Sequence, residues 1–193
     1  MFIQTLDTPN PETLKFILDE TQILKSGSLE FKTKAQAKKG SKLATKLFEI
    51  DNVKQVFFGT DFITITKKKN GNWPDLKTQI ITCIMDFVMS GQELVNKIKE
   101  KKPKKTKKND PNQEIIDQIN ELIEEKVRPA VAMDGGDIVF EEYVDGIVYL
   151  RLKGSCSGCP SSSITLKSGI ENMLQHYVPE IKEVRAVDFE EDY

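Results

Sequence analysis

Between residues 97 and 109 the chain carries eight lysines and one glutamate, with prolines at 103 and 111 close by. Like charges at this density repel, proline interrupts helix and strand, and almost nothing apolar is available to bury. The stretch cannot offset the entropy of ordering it, so residues 93–112 read as a flexible Lys-rich linker. That linker divides the 193 residues into a first unit, 1–92, and a second, 113–193, each long enough for one small domain. A basic tether for nucleic acid or an anionic membrane is the functional reading of such a run. No aromatic residue is interleaved for base stacking, so a solvated spacer is favoured, and neither partner is expected.

Charge follows the same partition. Overall, 28 basic and 30 acidic side chains leave a net charge of only −2. The first 96 residues carry 13 basic and 11 acidic groups, whereas residues 110–193 carry seven and 18. No apolar run approaches the roughly 20 residues that span a bilayer. The opening Met1-Phe-Ile-Gln-Thr-Leu-Asp7 lacks a secretory pattern, and three cysteines are too few for a disulfide scaffold. A reducing, cytoplasmic setting is therefore expected; a processed mitochondrial matrix chain would read the same.

The first unit reads as α+β. Phe2–Leu6 and Thr13–Leu18 are strand-like, separated by the turn Thr8-Pro-Asn-Pro11. Ser41 suits an N-cap for a helix whose face is Leu43, Ala44, Leu47 and Phe48. Val53–Gly59 and Phe62–Lys67 predict a hairpin. Pro74 and Asp75 open a helix with Leu76, Ile80, Cys83, Ile84, Phe87 and Val88 on one stripe, ending at Gly91. Cys83 is then a core filler rather than a ligand. Phe57 and Phe58 are adjacent, so alternation can turn one of them away from the core; a contact role for it is only a weak reading.

The second unit holds the chemistry and reads as α+β too. A helix is predicted over Glu114–Val127, ended by Arg128-Pro129. Met133-Asp-Gly-Gly-Asp137 follows as a loop, in which Asp134 and Asp137 are expected to fix the backbone rather than to act as an acid pair. Ile138–Val144 and Ile147–Leu152 flank Asp145-Gly146, a strong hairpin signal. Then comes Gly154-Ser-Cys156-Ser-Gly-Cys159, with a helix expected from Pro160 carrying Leu166, Ile170, Met173, Leu174 and Tyr177 on its face. Ile181–Val187 reads as a last strand.

Cys156 and Cys159 thus stand between a strand and a helix N-terminus. Two intervening residues let both sulfurs turn toward one point, Gly158 eases the turn, and backbone N–H groups favour thiolate. Three readings remain open: a thiol–disulfide oxidoreductase, half of a metal site, or a structural pair such as a zinc-stabilised dimeric module. A tetrahedral zinc or an iron–sulfur cluster takes four protein ligands. Cys83 lies across the linker, and His176, a helix C-terminal residue, lies about 25 Å along the helix from Cys159. Two copies of the chain would supply four thiolates.

Residues 113–193 resemble the C-terminal domain of the NifU-like iron–sulfur scaffold family. The resemblance runs through Arg128-Pro129, Asp134-Gly-Gly-Asp137, the hairpin, Gly154-Ser-Cys-Ser-Gly-Cys-Pro-Ser-Ser162 and Thr165-Leu-Lys-Ser-Gly-Ile170. Residues 1–92 resemble the N-terminal domain of one branch of that family, through Thr8-Pro-Asn-Pro11, Leu14-Lys-Phe16, Gly40-Ser-x-Leu-Ala44, Leu47-Phe48, Phe62-Ile-Thr-Ile65 and Met89-Ser-Gly91. The resemblance implies two α+β domains and a carrier rather than an enzyme. Cys156 and Cys159 would ligate one [4Fe–4S] cluster shared by two protomers. Gly154, Ser155, Ser157 and Gly158 would shape the turn, and the serine hydroxyls would bond cluster sulfur. Upstream iron–sulfur scaffolds and apo iron–sulfur proteins would be the partners, with the N-terminal domain recognising them and the linker letting the cluster domain swing.

Overall fold

Alternation of apolar and polar side chains makes the first unit a two-layer α/β sandwich. The computed structural model describes residues 2–19, 21–96, 112–157 and 160–187, with backbone alone for 160–165. Strands β1 (Ile3–Asp7) and β2 (Thr13–Leu18) pair antiparallel across the Thr8–Pro11 turn, in which the Thr8 hydroxyl accepts from the Asn10 amide and Asn10 Oδ1 caps the Glu12 amide. β3 (Leu29–Phe31), β4 (Val53–Phe58) and β5 (Phe62–Lys67) complete an antiparallel sheet in the order β1-β2-β5-β4-β3. The expected hairpin closes with the Gly59 amide donating to the Phe62 carbonyl.

Helices α1 (Lys34–Gly40), α2 (Lys42–Leu47) and α3 (Trp73–Met89) accompany the sheet. Ser41 caps α2 as expected, its hydroxyl accepting from the Ala44 amide. Neither α1 nor β3 is visible as apolar periodicity. α1 offers only alanines, and its signal is the capping box of Thr33 and Gln36. Leu76, Ile80, Ile84 and Phe87 of α3 are buried with Phe16, Phe31, Phe58, Ile63, Ile65, Leu43 and Leu47 in one core. Each such side chain contributes about 1.5–3 kcal/mol. Cys83 is partly buried against that core as a free thiol.

In the second unit α4 (Gln113–Leu122) does not stop at Arg128-Pro129. It widens into a π turn over Ile123–Val127 and continues as α5 (Arg128–Met133). Pro129 has no N–H and its ring would strike the carbonyl four residues back. The wider turn, in which the Arg128 amide reaches the Ile123 carbonyl, accommodates the proline at the first turn of a new helix. β6 (Gly136–Val144) and β7 (Ile147–Gly154) form the expected hairpin, with Asp145 and Gly146 both at positive φ. α6 (Pro160–Tyr177) leads to β8 (Glu183–Ala186), which pairs parallel to β7. Tyr177, expected on the apolar face of α6, is 51% exposed; Val178 and Ile181 enter the core instead.

The two units are docked against each other. Lys15, Thr64, Phe57 and Glu30 are register partners across β2, β5, β4 and β3, on the face opposite the helices. A polar row of this kind on the outer face of a two-layer unit belongs in water. Here Lys15 and Glu30 are 8% exposed, and Thr64 and Phe57 only 1%. Glu30 accepts from Gln55 Nε2 (2.7 Å) within the first unit, and the row is also bonded to the second unit. Lys15 Nζ donates to the Ala132 carbonyl at the end of α5 (2.7 Å), Thr64 Oγ1 to the Gly135 carbonyl (2.8 Å), and the Gly154 amide to Glu30 Oε1 (2.8 Å). Of the 93–112 linker, residues 97–111 lie outside the described residues, while Leu94 and Asn96 are bonded to Ser41, Gly40 and Lys39 of the first unit.

Candidate metal centre

The hairpin brings two glycine turns together at one end. β6 begins at Gly136 and pairs with Gly154, the last residue of β7, so the Met133–Asp137 loop faces the loop that carries Cys156. Gly135 and Gly154 have φ of 79° and 68°, a region glycine enters without penalty. A Cβ on Gly136 would stand 2.8 Å from Cys156 Sγ, so the thiol occupies the space a side chain would fill.

Backbone and side-chain bonds fix this arrangement. The Ser155 amide donates to the Gly135 carbonyl (3.2 Å), the Ser157 amide to the Gly154 carbonyl (3.1 Å), and the Ser155 hydroxyl to the Asp134 carbonyl. The Ser155 oxygen also lies 3.8 Å from Cys156 Sγ. Through its bond to the Asp134 carbonyl this hydroxyl fixes the loop from within. Cys156 is 5% exposed, at the edge of the second core. Gly158 and Cys159, the other half of the expected pair and its turn, lie outside the described residues.

Of the two aspartates, Asp137 does the fixing through its side chain. Its Oδ1 accepts from the Ile138 amide (2.8 Å) and from Arg128 Nε (2.9 Å). Its Oδ2 accepts from Ser28 of the first unit. Burial opposes the charge of Arg128, but Asp137 and Glu124 outweigh it and hold the guanidinium pKa above its ordinary value. Arg128-Pro129 therefore ends no helix; it starts α5 and orients the Gly-Gly loop. Asp134 contributes its carbonyl.

Other donors stay away. Cys83 belongs to α3, where burial, the largest cause, raises its pKa. His176 packs its ring on Tyr177 at 5.0 Å. Among the described residues, no group of three or more His, Cys, Asp or Glu is placed to hold a metal ion, and no helix is long and apolar enough to cross a membrane. Sequence reasoning missed Asn10, Lys15, Ser28, Glu30 and Thr64, all of which bond to the second unit. The available signal was Phe57: it lies on the face away from the first core and is nonetheless buried, 3.1 Å from where a Gly154 Cβ would stand.

Residues 3–91 match the family model for the scaffold protein Nfu/NifU N terminal, and residues 119–185 match the NifU-like domain. The chain is 48% identical over 188 residues to the human protein named NFU1 iron-sulfur cluster scaffold homolog, mitochondrial, covering 97% of this chain and 72% of that one. It is 45% identical over 191 residues to the Drosophila grimshawi protein of the same name, covering 99% of this chain and 63% of that one. The solution structure of a NifU-like protein from Saccharomyces cerevisiae superposes with a TM-score of 0.46 at 30% identity, covering 51% of this chain and 87% of that one. The chain belongs to the Nfu/NifU scaffold-protein family, with both of that family's domains in one polypeptide.

Proposed function

We propose that the chain is an iron–sulfur cluster carrier, not an enzyme. In this reading Cys156 and Cys159 of each of two protomers hold one [4Fe–4S] cluster as cargo and pass it to apo iron–sulfur proteins. The observation that supports it best is the Cys156-x-x-Cys159 spacing beside a loop that backbone bonds among Gly135, Gly154, Ser155 and Ser157 build around Cys156, two thiols where a cluster takes four. A second copy of the chain supplies the missing thiolates by symmetry. The names of the relatives, iron–sulfur cluster scaffolds, point the same way, and their mitochondrial designation favours a matrix setting over the cytoplasm. A cluster bridging two small domains also suits delivery, because an acceptor's thiolates can replace the donor's one at a time.

Anaerobic reconstitution of the full chain with ferrous iron and sulfide tests this. The expected product is a brown dimer with about four iron atoms per two chains. Cys156→Ala should abolish it and Cys83→Ala should leave it intact. Colourless protein that retains one zinc per two chains, or full cluster content in Cys156→Ala, would overturn the proposal.

A further inference from the structure

We propose that the outer face of the five-stranded sheet is a docking surface for the chain's own cysteine loop. In this proposal the docked form is the unloaded protein, and it must open before two copies can grip a cluster. The inference rests on the carrier reading.

Three observations support it. First, the surface is one continuous row, Lys15-Thr64-Phe57-Glu30, which crosses four strands in register. Second, what it holds is the backbone of the candidate site. Glu30 caps the amide of Gly154, two residues before Cys156, and Asn10 Nδ2 donates to the carbonyl of Ser155 (3.2 Å). Thr64 takes the Gly135 carbonyl, which is also the acceptor of the Ser155 amide, so sheet and cysteine loop share one anchor. Third, the chemistry is competitive. A [4Fe–4S] cluster on four thiolates is an anion that needs N–H donors and open approach around it. With the sheet in place, the Gly154 N–H is occupied by a carboxylate, and one side of the loop is occupied by protein. In the docked form the first unit covers Gly135, Gly154 and Ser155, the backbone that flanks Cys156, and this cover competes with a second protomer.

The test uses the full chain with the pair Lys15→Ala/Glu30→Ala. Both side chains project away from the first core, so the unit should keep its fold, which its amide spectrum checks. A second variant, Thr64→Glu, forces a charge into the same contact. In the unloaded native protein the Gly154 amide resonance should lie downfield and move on Glu30→Gln alone, and small-angle scattering should give a larger radius of gyration for either opening variant. On reconstitution with ferrous iron and sulfide, the opened chains should load about tenfold faster, since loading scales with the fraction of open molecules. Equal loading rates in chains that scattering shows to be open would overturn the competition. A Gly154 resonance indifferent to Glu30→Gln would overturn the docking itself. No cluster on any of the proteins would overturn the carrier reading and the competition with it, while the Gly154 shift would still report the dock.

Discussion

Gly154→Ala should be the most damaging single methyl in the second unit. The residue has φ of 68°, where an L side chain costs about 1–2 kcal/mol. The new Cβ would stand 2.7 Å from the Gly135 carbonyl oxygen and 2.9 Å from Gly136 Cα. Both are backbone atoms, one just before and one at the start of β6, which cannot retreat without breaking the Gly136–Gly154 pair. Overpacking of this kind adds about 1–3 kcal/mol, so a total loss of about 2–5 kcal/mol follows. For a unit of this size each kcal/mol lowers Tm by about 4–8 °C. Calorimetry of the unloaded chain should therefore show the second unit melting roughly 10–40 °C lower. Gly154→Asn separates the two contributions, because asparagine tolerates positive φ but still brings a Cβ. It should recover only the backbone part. A Gly154→Ala chain melting within about 2 °C of the native protein would refute the turn geometry; an unaffected Gly154→Asn chain would refute the clash.

The opposite substitution at Gly169 should stabilise. It lies within α6, has no positive φ, and leaves open space where a Cβ would stand, with no atom within 4 Å. Gly169→Ala should therefore add about 0.5–1 kcal/mol and raise Tm by a few degrees. Asp137→Asn should cost about 1–3 kcal/mol in urea unfolding, because it leaves Arg128 half-buried beside a neutral group; an unchanged midpoint would argue against the clamp. Burial, against the pull of Asp61 and Asp134, lowers the Lys15 pKa from 10.5. The unfolded chain then holds this proton to higher pH than the folded one, so Lys15 makes stability rise with pH between its lowered pKa and 10.5. The urea midpoint of the native protein relative to Lys15→Met should climb through that window, and a flat difference would refute the burial of the ammonium.

What is legible in the sequence is what local physics decides. Asp145-Gly146 needs two positive φ values, and the residues themselves announce it. Ser41 and the stripe of α3 are equally local. Arg128-Pro129 reads as a stop because proline ends most helices, and the π turn that absorbs it depends on how Ile123 and Val127 pack in the core. The three-residue β3 and the alanine-bearing α1 carry too little periodicity to register. At the candidate site, Cys156 and its glycines are found by spacing. Glu30 is not, because nothing within ten residues of it says that its partner is an amide 124 positions away. Such a partner is fixed by tertiary docking, and a glutamate with Lys32 and Gln55 beside it gives no local sign of it.

The composition of the docked face also argues for reversibility. An apolar interface of that area would hold the units together whatever the state of the cysteines. A hydrogen-bonded one contributes about 0.5–1.5 kcal/mol per neutral bond and about 1.5–3 kcal/mol where Lys15 or Glu30 takes part, since water replaces each partner on opening. Because both units belong to one chain, the contact works at an effective concentration near the millimolar range, and a few such bonds suffice to populate it. Phe57 and Phe62, whose rings are 5.9 Å apart on the sheet face away from the first core, supply the remaining bias toward closure, because opening returns them to water. A face of threonine, lysine and glutamate alone would barely stay shut, and a face of phenylalanine alone would not open.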